Sequence, residues 1–221
     1  MEFERVMRQR FSARAFRPDP VPEEALARIL ELAQCTPSWC NTQPWGLVIT
    51  RGAATARFRE ALYAHAKSGA AHAPDHPFPL AYEGVYRERR KVCGVQLYQS
   101  LGIGRDDRAA AAEQSFENFR CFGAPHVAIV STEEKLGQYG LLDCGLYIQS
   151  FMLAAVDAGV DCIAQAALAS YSPFLHDYFA IPAHRRIVCG IAFGYADRGA
   201  AINGYRTERA DVAQAVRFVD A

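Results

Sequence analysis

The pattern of apolar and polar residues predicts a first strong helix over residues 22–34. Leu26, Ile29 and Leu30 recur at the three- and four-residue spacing that places side chains on one helical face. Pro22 suits the first turn, and the two acidic residues after it favour the positive end of the helix dipole. We therefore expect this helix to pack one apolar side on a core.

Further elements alternate along the rest of the chain. Patterns typical of helices cover residues 53–67, 82–101, 108–119 and 140–158, and Ser172 and Pro173 begin another short helix. Patterns typical of strands cover residues 45–50, 125–131, 160–164 and 186–195. Strands separated by long helices predict an α+β, three-layer fold in which helices flank a mixed central sheet.

Three segments carry expectations of their own. Residues 140–158 are apolar on nearly every side, which predicts a buried central helix. Residues 68–81 are small, polar and interrupted by proline, so we expect a mobile loop or one that contacts a partner. The tail after Ala196 has little core of its own, and we expect it to extend across a partner subunit.

Composition narrows the function classes. A chain of 221 residues with 51% hydrophobic residues suits one domain over residues 1–221 with a real core. The 24 basic and 24 acidic residues cancel, which argues against a nucleic-acid partner and makes any anion site local. Residues 1–10 are polar, and Asp143, Gln149 and Asp157 interrupt the apolar stretch after Leu141, so we expect no membrane span. A cytoplasmic protein is the resulting expectation.

The cysteine and histidine positions favour neither metal binding nor thiol catalysis. The seven cysteines include no C-x-x-C pair, so we expect mostly buried, reduced thiols and no zinc site. His72 and His76 are separated by Pro74, which breaks the helical spacing that a metal pair needs. Cys40 as a nucleophile is an alternative, although no histidine lies near it in sequence.

A basic cluster near the N-terminus is the first candidate site. Arg10, Ser12 and Arg14 lie at alternate positions, so they project from one side of an extended segment. Two guanidinium groups and a hydroxyl suit a phosphorylated ligand. The alternative is an exposed basic N-terminus without a ligand.

A polar loop between the first helix and the first strand is the second candidate. Residues 37–45 read Pro-Ser-Trp-Cys-Asn-Thr-Gln-Pro-Trp, and Asn41 and Gln43 carry both hydrogen-bond donors and acceptors. Loops held between rigid elements often bind ligands. The alternative is a turn that leads into a strand anchored by Trp45.

Together these motifs resemble the flavin-binding signature of the nitroreductase family. The resemblance extends to residues 159–167 after the central helix and to residues 190–195 and 203–209 near the C-terminus. It implies a nitroreductase-like fold, bound FMN, NADPH or NADH as electron donor, and a homodimer with FMN at the subunit interface.

The resemblance also implies roles for individual residues. Arg10 and Ser12 would meet the phosphate and ribityl end of FMN, and Arg14 would lie near N1 and O2 of its ring. The partner subunit would supply the polar loop, while Gln165 and Ala166 would border the ring. The full set of cofactor-binding candidates is Arg10, Phe11, Ser12, Arg14, Pro37, Ser38, Trp39, Asn41, Gln43, Gln165, Ala166, Ala167, Arg206 and Arg209.

The implied reaction requires no catalytic side chain. A nicotinamide hydride would reach flavin N5, and a nitroaromatic or quinone-like acceptor would then take the electrons by a ping-pong mechanism. The protein would contribute position and preorganised charge. Two alternatives stay open: reductive dehalogenation or activated-alkene reduction within the same family, and a flavin-binding protein without meaningful turnover.

Overall fold

Four strands form the centre of the fold in the computed structural model, which describes residues 2–220. The strands are β1 (Gly46–Thr50), β2 (His126–Glu133), β3 (Asp161–Gln165) and β4 (Arg185–Gly194). Their order in the sheet is β1-β2-β4-β3, so the longest strands occupy its centre. All four lie where the residue pattern predicts strands.

The strands pair antiparallel, and the expected mixed sheet is therefore wrong in this respect. Each of the three pairings in the described chain is antiparallel, and parallel pairing occurs as an isolated bridge between Ser12 and Cys162. The long helical connections could return a strand in either direction, so their length alone does not decide its orientation.

Seven α-helices surround the sheet in the described part of the chain. The five predicted helices are present with small shifts of their ends, together with the short helix that Ser172 begins. An additional short helix, α1, was not predicted. The helices are α1 (Phe3–Gln9), α2 (Glu23–Gln34), α3 (Ala53–Lys67), α4 (Gly84–Ser100), α5 (Arg108–Phe116), α6 (Gly137–Asp157) and α7 (Ser172–Phe179).

Two hydrophobic cores, one on each face of the sheet, produce the predicted three layers. Side chains alternate along β2 because successive residues of a strand point to opposite faces. Ala128 and Val130 join the core that contains residues of α2 and α6. Val127 and Ile129 join the core that contains residues of α3 and α7. The central sheet is thus covered on both sides.

Helix α6 is buried on one side only, which corrects the expectation of a helix surrounded by core. Phe151 and Ala155 are fully buried, whereas Tyr139, Leu142 and Leu146 are exposed. By length and composition the helical segment Glu134–Asp157 could cross a membrane, but half of its most apolar window is buried inside the protein. That degree of burial is typical of a core helix.

The proline-broken segment of residues 68–81 is anchored at its middle. The backbone N–H of Ala73 donates to the carbonyl of Ser170 at 2.8 Å. The Asp75 carboxylate contacts His176 at 2.9 Å and accepts from the backbone N–H of Ile187 at 2.7 Å. Leu80, further along, is fully exposed. These hydrogen bonds hold residues 73–75 on the rest of the chain, and contact of the segment with a partner stays a prediction.

The two ends of the chain meet beside β3. Ser12 bridges to Cys162, and Phe16 bridges to Ala196 in the antiparallel sense. The buried side chains of Phe11, Ala13 and Ala196 form a small separate core at this junction. The fold thereby brings the N-terminal basic motif beside the C-terminal segment.

Candidate active site

A cavity of about 760 Å³ opens where the two chain ends meet. Five of its lining residues are arginines: Arg8, Arg10, Arg14, Arg206 and Arg209. No acidic residue lines the cavity within the described chain. The remaining lining residues are Met7, Phe11, Ser12, Cys93, Gln149, Tyr205 and Thr207.

The N-terminal motif is extended, as its spacing predicts. The backbone N–H of Ala13 donates to the carbonyl of Cys162 at 3.3 Å, and Ala13 is fully buried. Arg10, Ser12 and Arg14 are half-buried and line the cavity. Alternation along an extended segment thus anchors one side in the fold and presents the polar side to the cavity.

Arg14 is held from the C-terminal segment by Asn203. The Asn203 side-chain oxygen accepts from the backbone N–H of Arg14 at 2.8 Å. The amide nitrogen of the same side chain donates to the carbonyls of Ala15 and Asp197, both at 2.8 Å. Asn203 is buried, so these hydrogen bonds are shielded from water. Sequence reasoning missed this residue, because an Asn-Gly pair indicates a turn and not its distant partner.

The Arg14 side chain is oriented by Tyr205. Arg14 Nη1 donates to the Tyr205 hydroxyl at 3.2 Å and to the carbonyl of Ser12 at 3.3 Å. Burial raises the pKa of Tyr205, an effect that the Arg14 charge opposes. The phenol therefore stays neutral near pH 7 and can accept from the guanidinium.

The two C-terminal arginines are directed by main-chain carbonyls. Arg206 Nη1 donates to the carbonyls of Asn203 and Tyr205, at 2.8 and 2.7 Å, and its guanidinium carbon lies 3.9 Å from the centroid of the Phe11 ring. Arg209 Nη1 donates to the carbonyls of Thr207 and Glu208, at 3.1 and 3.0 Å, and to Thr207 Oγ1 at 2.9 Å.

Burial lowers the pKa of Arg206, with a further contribution from Arg198, and Asp161 opposes the shift. Among the residues described, neither Arg206 nor Arg209 forms an ion pair with a carboxylate.

The polar loop of residues 37–43 lies outside this cavity. Trp39 is 60% exposed, its ring lies 4.7 Å from that of Tyr139, and its backbone N–H donates to Asp143 at 3.1 Å. Pro37, Asn41 and Gln43 are exposed, and Ser38 is half-buried; none of these candidates lines the cavity. A single chain therefore does not bring the two predicted motifs together.

The backbone of this loop is strained. Cys40, Asn41 and Gln43 have φ values of 49°, 56° and 47°, a conformation that side chains other than glycine adopt at a cost. Ser38 Oγ accepts from the backbone N–H of Gln43 at 2.9 Å, which closes the loop on itself.

The third group of candidates lies at the end of β3 and also outside the cavity. Gln165 is buried, and its amide nitrogen donates to the carbonyl of Asn118 at 3.0 Å. Its side-chain oxygen is buried with no hydrogen-bond partner in the described chain. Ala166 is exposed and Ala167 is half-buried.

The remaining cysteine and metal alternatives find little support in the geometry. Four cysteines are buried, and burial raises the pKa of the Cys121 and Cys162 thiols to about 12, which keeps them protonated and unreactive. Cys40 is exposed, and no hydrogen bond joins it to a histidine among residues 2–220. No group of three or more His, Cys, Asp or Glu side chains suited to a metal occurs within those residues.

Comparison with known proteins identifies relatives over nearly the whole chain. The model of the nitroreductase family matches residues 7–195. The chain is 39% identical to nitroreductase NfnB of Mycolicibacterium smegmatis, over 97% of this chain and 92% of that protein. It is 33% identical to the 4-nitrobenzoate reductase of Pseudomonas putida, over 94% of this chain and 91% of that protein.

A solved structure supports the same relationship. The crystal structure of the FMN-dependent nitroreductase NfnB from Mycobacterium smegmatis in complex with NADPH superimposes with a TM-score of 0.93 at 38% sequence identity. The superposition covers 98% of this chain and 97% of that one.

Proposed function

The chain belongs to the nitroreductase family, and from that premise we propose an FMN-dependent oxidoreductase that uses NADPH or NADH to reduce a nitroaromatic or quinone-like acceptor. The proposed enzyme is one FMN-binding domain over residues 1–221, located in the cytoplasm. Relatives named for nitroreductase and 4-nitrobenzoate reductase activity support the choice of a nitro group over a halide or an alkene.

The observation that carries this proposal is the arginine-lined cavity between the two chain ends. A phosphate monoester carries nearly two negative charges at pH 7, and guanidinium groups bind such anions in a two-pronged geometry. Arg10, Arg206 and Arg209 are suited to the phosphate, and the Ser12 hydroxyl to the ribityl chain. The donor set in the cavity therefore fits the phosphate end of FMN.

Arg14 is the residue best suited to the polar edge of the flavin ring. Asn203 and Tyr205 hold its backbone and its guanidinium before any ligand arrives. A fixed positive charge stabilises negative charge that develops beside it without further reorganisation. When bound, FMN supplies the redox chemistry by accepting a hydride from the nicotinamide and passing electrons to the acceptor. The chain binds, orients and tunes the cofactor.

We further propose that a second copy of the chain completes the site. The exposed side chains of Trp39, Tyr139, Leu142 and Leu146 form an apolar surface on one side of α6, of a kind that marks interaction sites. In the proposed homodimer the partner's copy of the polar loop reaches FMN through Pro37, Ser38, Trp39, Asn41 and Gln43. Gln165, Ala166 and Ala167 border the ring.

The proposed C-terminal tail over the partner subunit has similar support. Val212, Phe218 and Val219 are exposed apolar side chains near the end of the chain. Exposing these apolar side chains to water costs free energy, and a partner subunit that covered them would remove that cost.

Absorption spectroscopy of the isolated full-length protein tests the proposal directly. Bound FMN should make the protein yellow, and NADPH or NADH should bleach it under anaerobic conditions. A nitroarene should restore the colour with reduction of the nitro group, whereas a haloarene or an activated alkene should not. A protein that takes up no FMN contradicts the whole proposal, and a yellow protein that neither nicotinamide bleaches supports binding without turnover.

A further inference from the structure

Two arginine side chains lie over the ring of Phe11, a residue that lines the cavity. The guanidinium carbons of Arg206 and Arg198 lie 3.9 and 4.8 Å from the ring centroid. Asp161 is the acidic partner of this group, and it is buried at the start of β3. The single negative charge of Asp161 can balance only one of the two guanidinium charges.

The ion pair forms with Arg198. Arg198 Nη2 lies 2.7 Å from Asp161 Oδ1 and 2.9 Å from Oδ2. Asp161 Oδ2 also accepts from the backbone N–H of Ala196 at 3.0 Å. Both donors to this carboxylate, Arg198 and the N–H of Ala196, belong to residues that do not line the cavity.

Arg206 keeps its charge unpaired and faces the cavity. Its Nη1 donates to the carbonyls of Asn203 and Tyr205, and no carboxylate among residues 2–220 forms an ion pair with it. Its guanidinium lies over the same Phe11 ring as the guanidinium of Arg198, which reaches Asp161 from that position, and the Asp161 charge also acts on Arg206. A competing position beside that carboxylate is therefore available to Arg206 whenever Arg198 leaves it.

We propose that Arg198 is a positioning residue for the anion site: it occupies the Asp161 carboxylate and so leaves Arg206 free to bind phosphate. The inference rests on the proposed binding of FMN and deepens it. Without Arg198, the buried carboxylate would be left without its side-chain partner, which is costly, and Arg206 would turn toward it. The cavity would then lose a phosphate ligand although every residue that lines it is unchanged.

Equilibrium dialysis of the full-length chain against FMN or riboflavin tests this role. The two flavins differ by the phosphate, so the ratio of their dissociation constants isolates the phosphate site. In Arg198→Gln we expect the preference for FMN to fall about tenfold, with riboflavin binding unchanged. Arg28→Gln, which removes an exposed arginine on α2, is the matched control and should leave the preference intact.

A double-mutant cycle separates positioning from a general loss of positive charge. Arg206→Gln should itself reduce the preference for FMN. In that background, Arg198→Gln should have no further effect if Arg198 acts through Arg206. An additional tenfold loss would mean that Arg198 attracts phosphate by its charge alone, and it would overturn the inference.

Removing the competing carboxylate provides a second arm. Asp161→Asn with Arg198→Gln should restore the FMN preference to within about threefold of the wild type, because Arg206 no longer has an acidic partner to turn toward. Asparagine keeps an oxygen that can accept from the N–H of Ala196. A preference for FMN that stays low in this double variant would also overturn the inference. If the double variant does not fold, Arg198→Lys takes its place: it keeps the ion pair and should retain the preference for FMN.

The preference of the wild type for FMN over riboflavin separates a failure of the proposed function from a failure of the proposed role of Arg198. A wild type that binds riboflavin as tightly as FMN contradicts the phosphate site and the proposed function, and the role of Arg198 falls with them. A wild type that prefers FMN, with a variant Arg198→Gln that prefers it equally, contradicts the role of Arg198 alone.

Discussion

The arginine-lined cavity and the polar loop of residues 37–43 both present polar side chains suited to a ligand. They differ in how firmly their own chain holds them. In the cavity, the bridge from Ser12 to β3 and the buried Asn203 side chain hold the Arg10–Arg14 segment in place within one chain. The loop is largely exposed, and three of its residues have positive φ. A strained and exposed conformation is stable only where its surroundings enforce it.

This difference indicates what each half of the proposed site requires. The cavity is preorganised, so a ligand that enters it loses little binding energy to ordering the protein. Trp39 of the loop contacts Tyr139 of its own chain but remains 60% exposed, and the proposed partner subunit would bury it. The half of the site formed by one chain can therefore be tested separately from the half that depends on a second.

The largest effect is expected from a substitution that disrupts the proposed dimer, on which the polar-loop half of the site depends. Leu142→Asp places a charge in the exposed apolar surface of α6, and we expect dimer affinity to fall more than about a hundredfold because a buried unpaired charge is costly. Analytical ultracentrifugation measures the change. Ala56→Asp, which places the same charge at an exposed position of α3, should leave the assembly intact. A monomeric wild type would contradict the homodimer.

The second largest effect is expected from a substitution that removes the hydrogen bonds supporting the cavity. Asn203→Ala leaves the N–H of Arg14 and the carbonyls of Ala15 and Asp197 without their buried partner. We expect the free energy of unfolding to fall by about 3 kcal/mol, together with weaker FMN retention. Urea denaturation checks the first and flavin fluorescence the second.

Thr42→Ala is the corresponding change in the exposed loop, and it should alter the free energy of unfolding by less than about 0.5 kcal/mol. An equal effect of Asn203→Ala and Thr42→Ala would mean that the two regions do not differ in their contribution to the fold.

A third change removes one charged group from the cavity and leaves the backbone hydrogen bonds that support it. Arg14→Ala keeps the backbone hydrogen bond to Asn203 but removes the guanidinium, so FMN affinity should fall about thirtyfold and reduction of the bound flavin should slow. Titration with FMN and stopped-flow reduction by NADPH measure the two effects. Arg14 has no place in the site if both values match the wild type.

The smallest expected effect is a pH dependence of stability that arises where Asp75, in the anchored loop of residues 73–75, contacts His176. Burial by itself would lower the pKa of His176, but the Ile181 carbonyl and the Asp75 carboxylate outweigh it and raise the pKa. A raised pKa in the folded state contributes stability that is complete below the unfolded pKa of about 6.5 and is lost as pH rises through the folded value.

The free energy of unfolding of the wild type relative to His176→Gln should therefore decline slightly above neutral pH, while the preference for FMN over riboflavin stays constant. Urea denaturation across this pH range measures the decline. A difference between the two proteins that grows with pH would contradict the assignment.

Several features of the site were predictable from local sequence, and others were not. The extended Arg10–Arg14 segment follows from alternation of polar and buried residues, because that pattern depends only on neighbours along the chain. The role of Asn203 depends on the backbone of residues 14 and 15, far away in sequence, so no local pattern contains it. The same holds for the ion pair of Asp161 and Arg198.

The sequence by itself determined the helices and strands of the core and the family motifs, because hydrophobic spacing and turn residues act over a few neighbouring positions. Only the tertiary structure decided that the strands run antiparallel, that α6 leaves an apolar side exposed, and that five arginines from opposite ends of the chain share one cavity. These features arise from contacts between residues distant in sequence, where packing and charge compensation select one arrangement among many that local propensity allows.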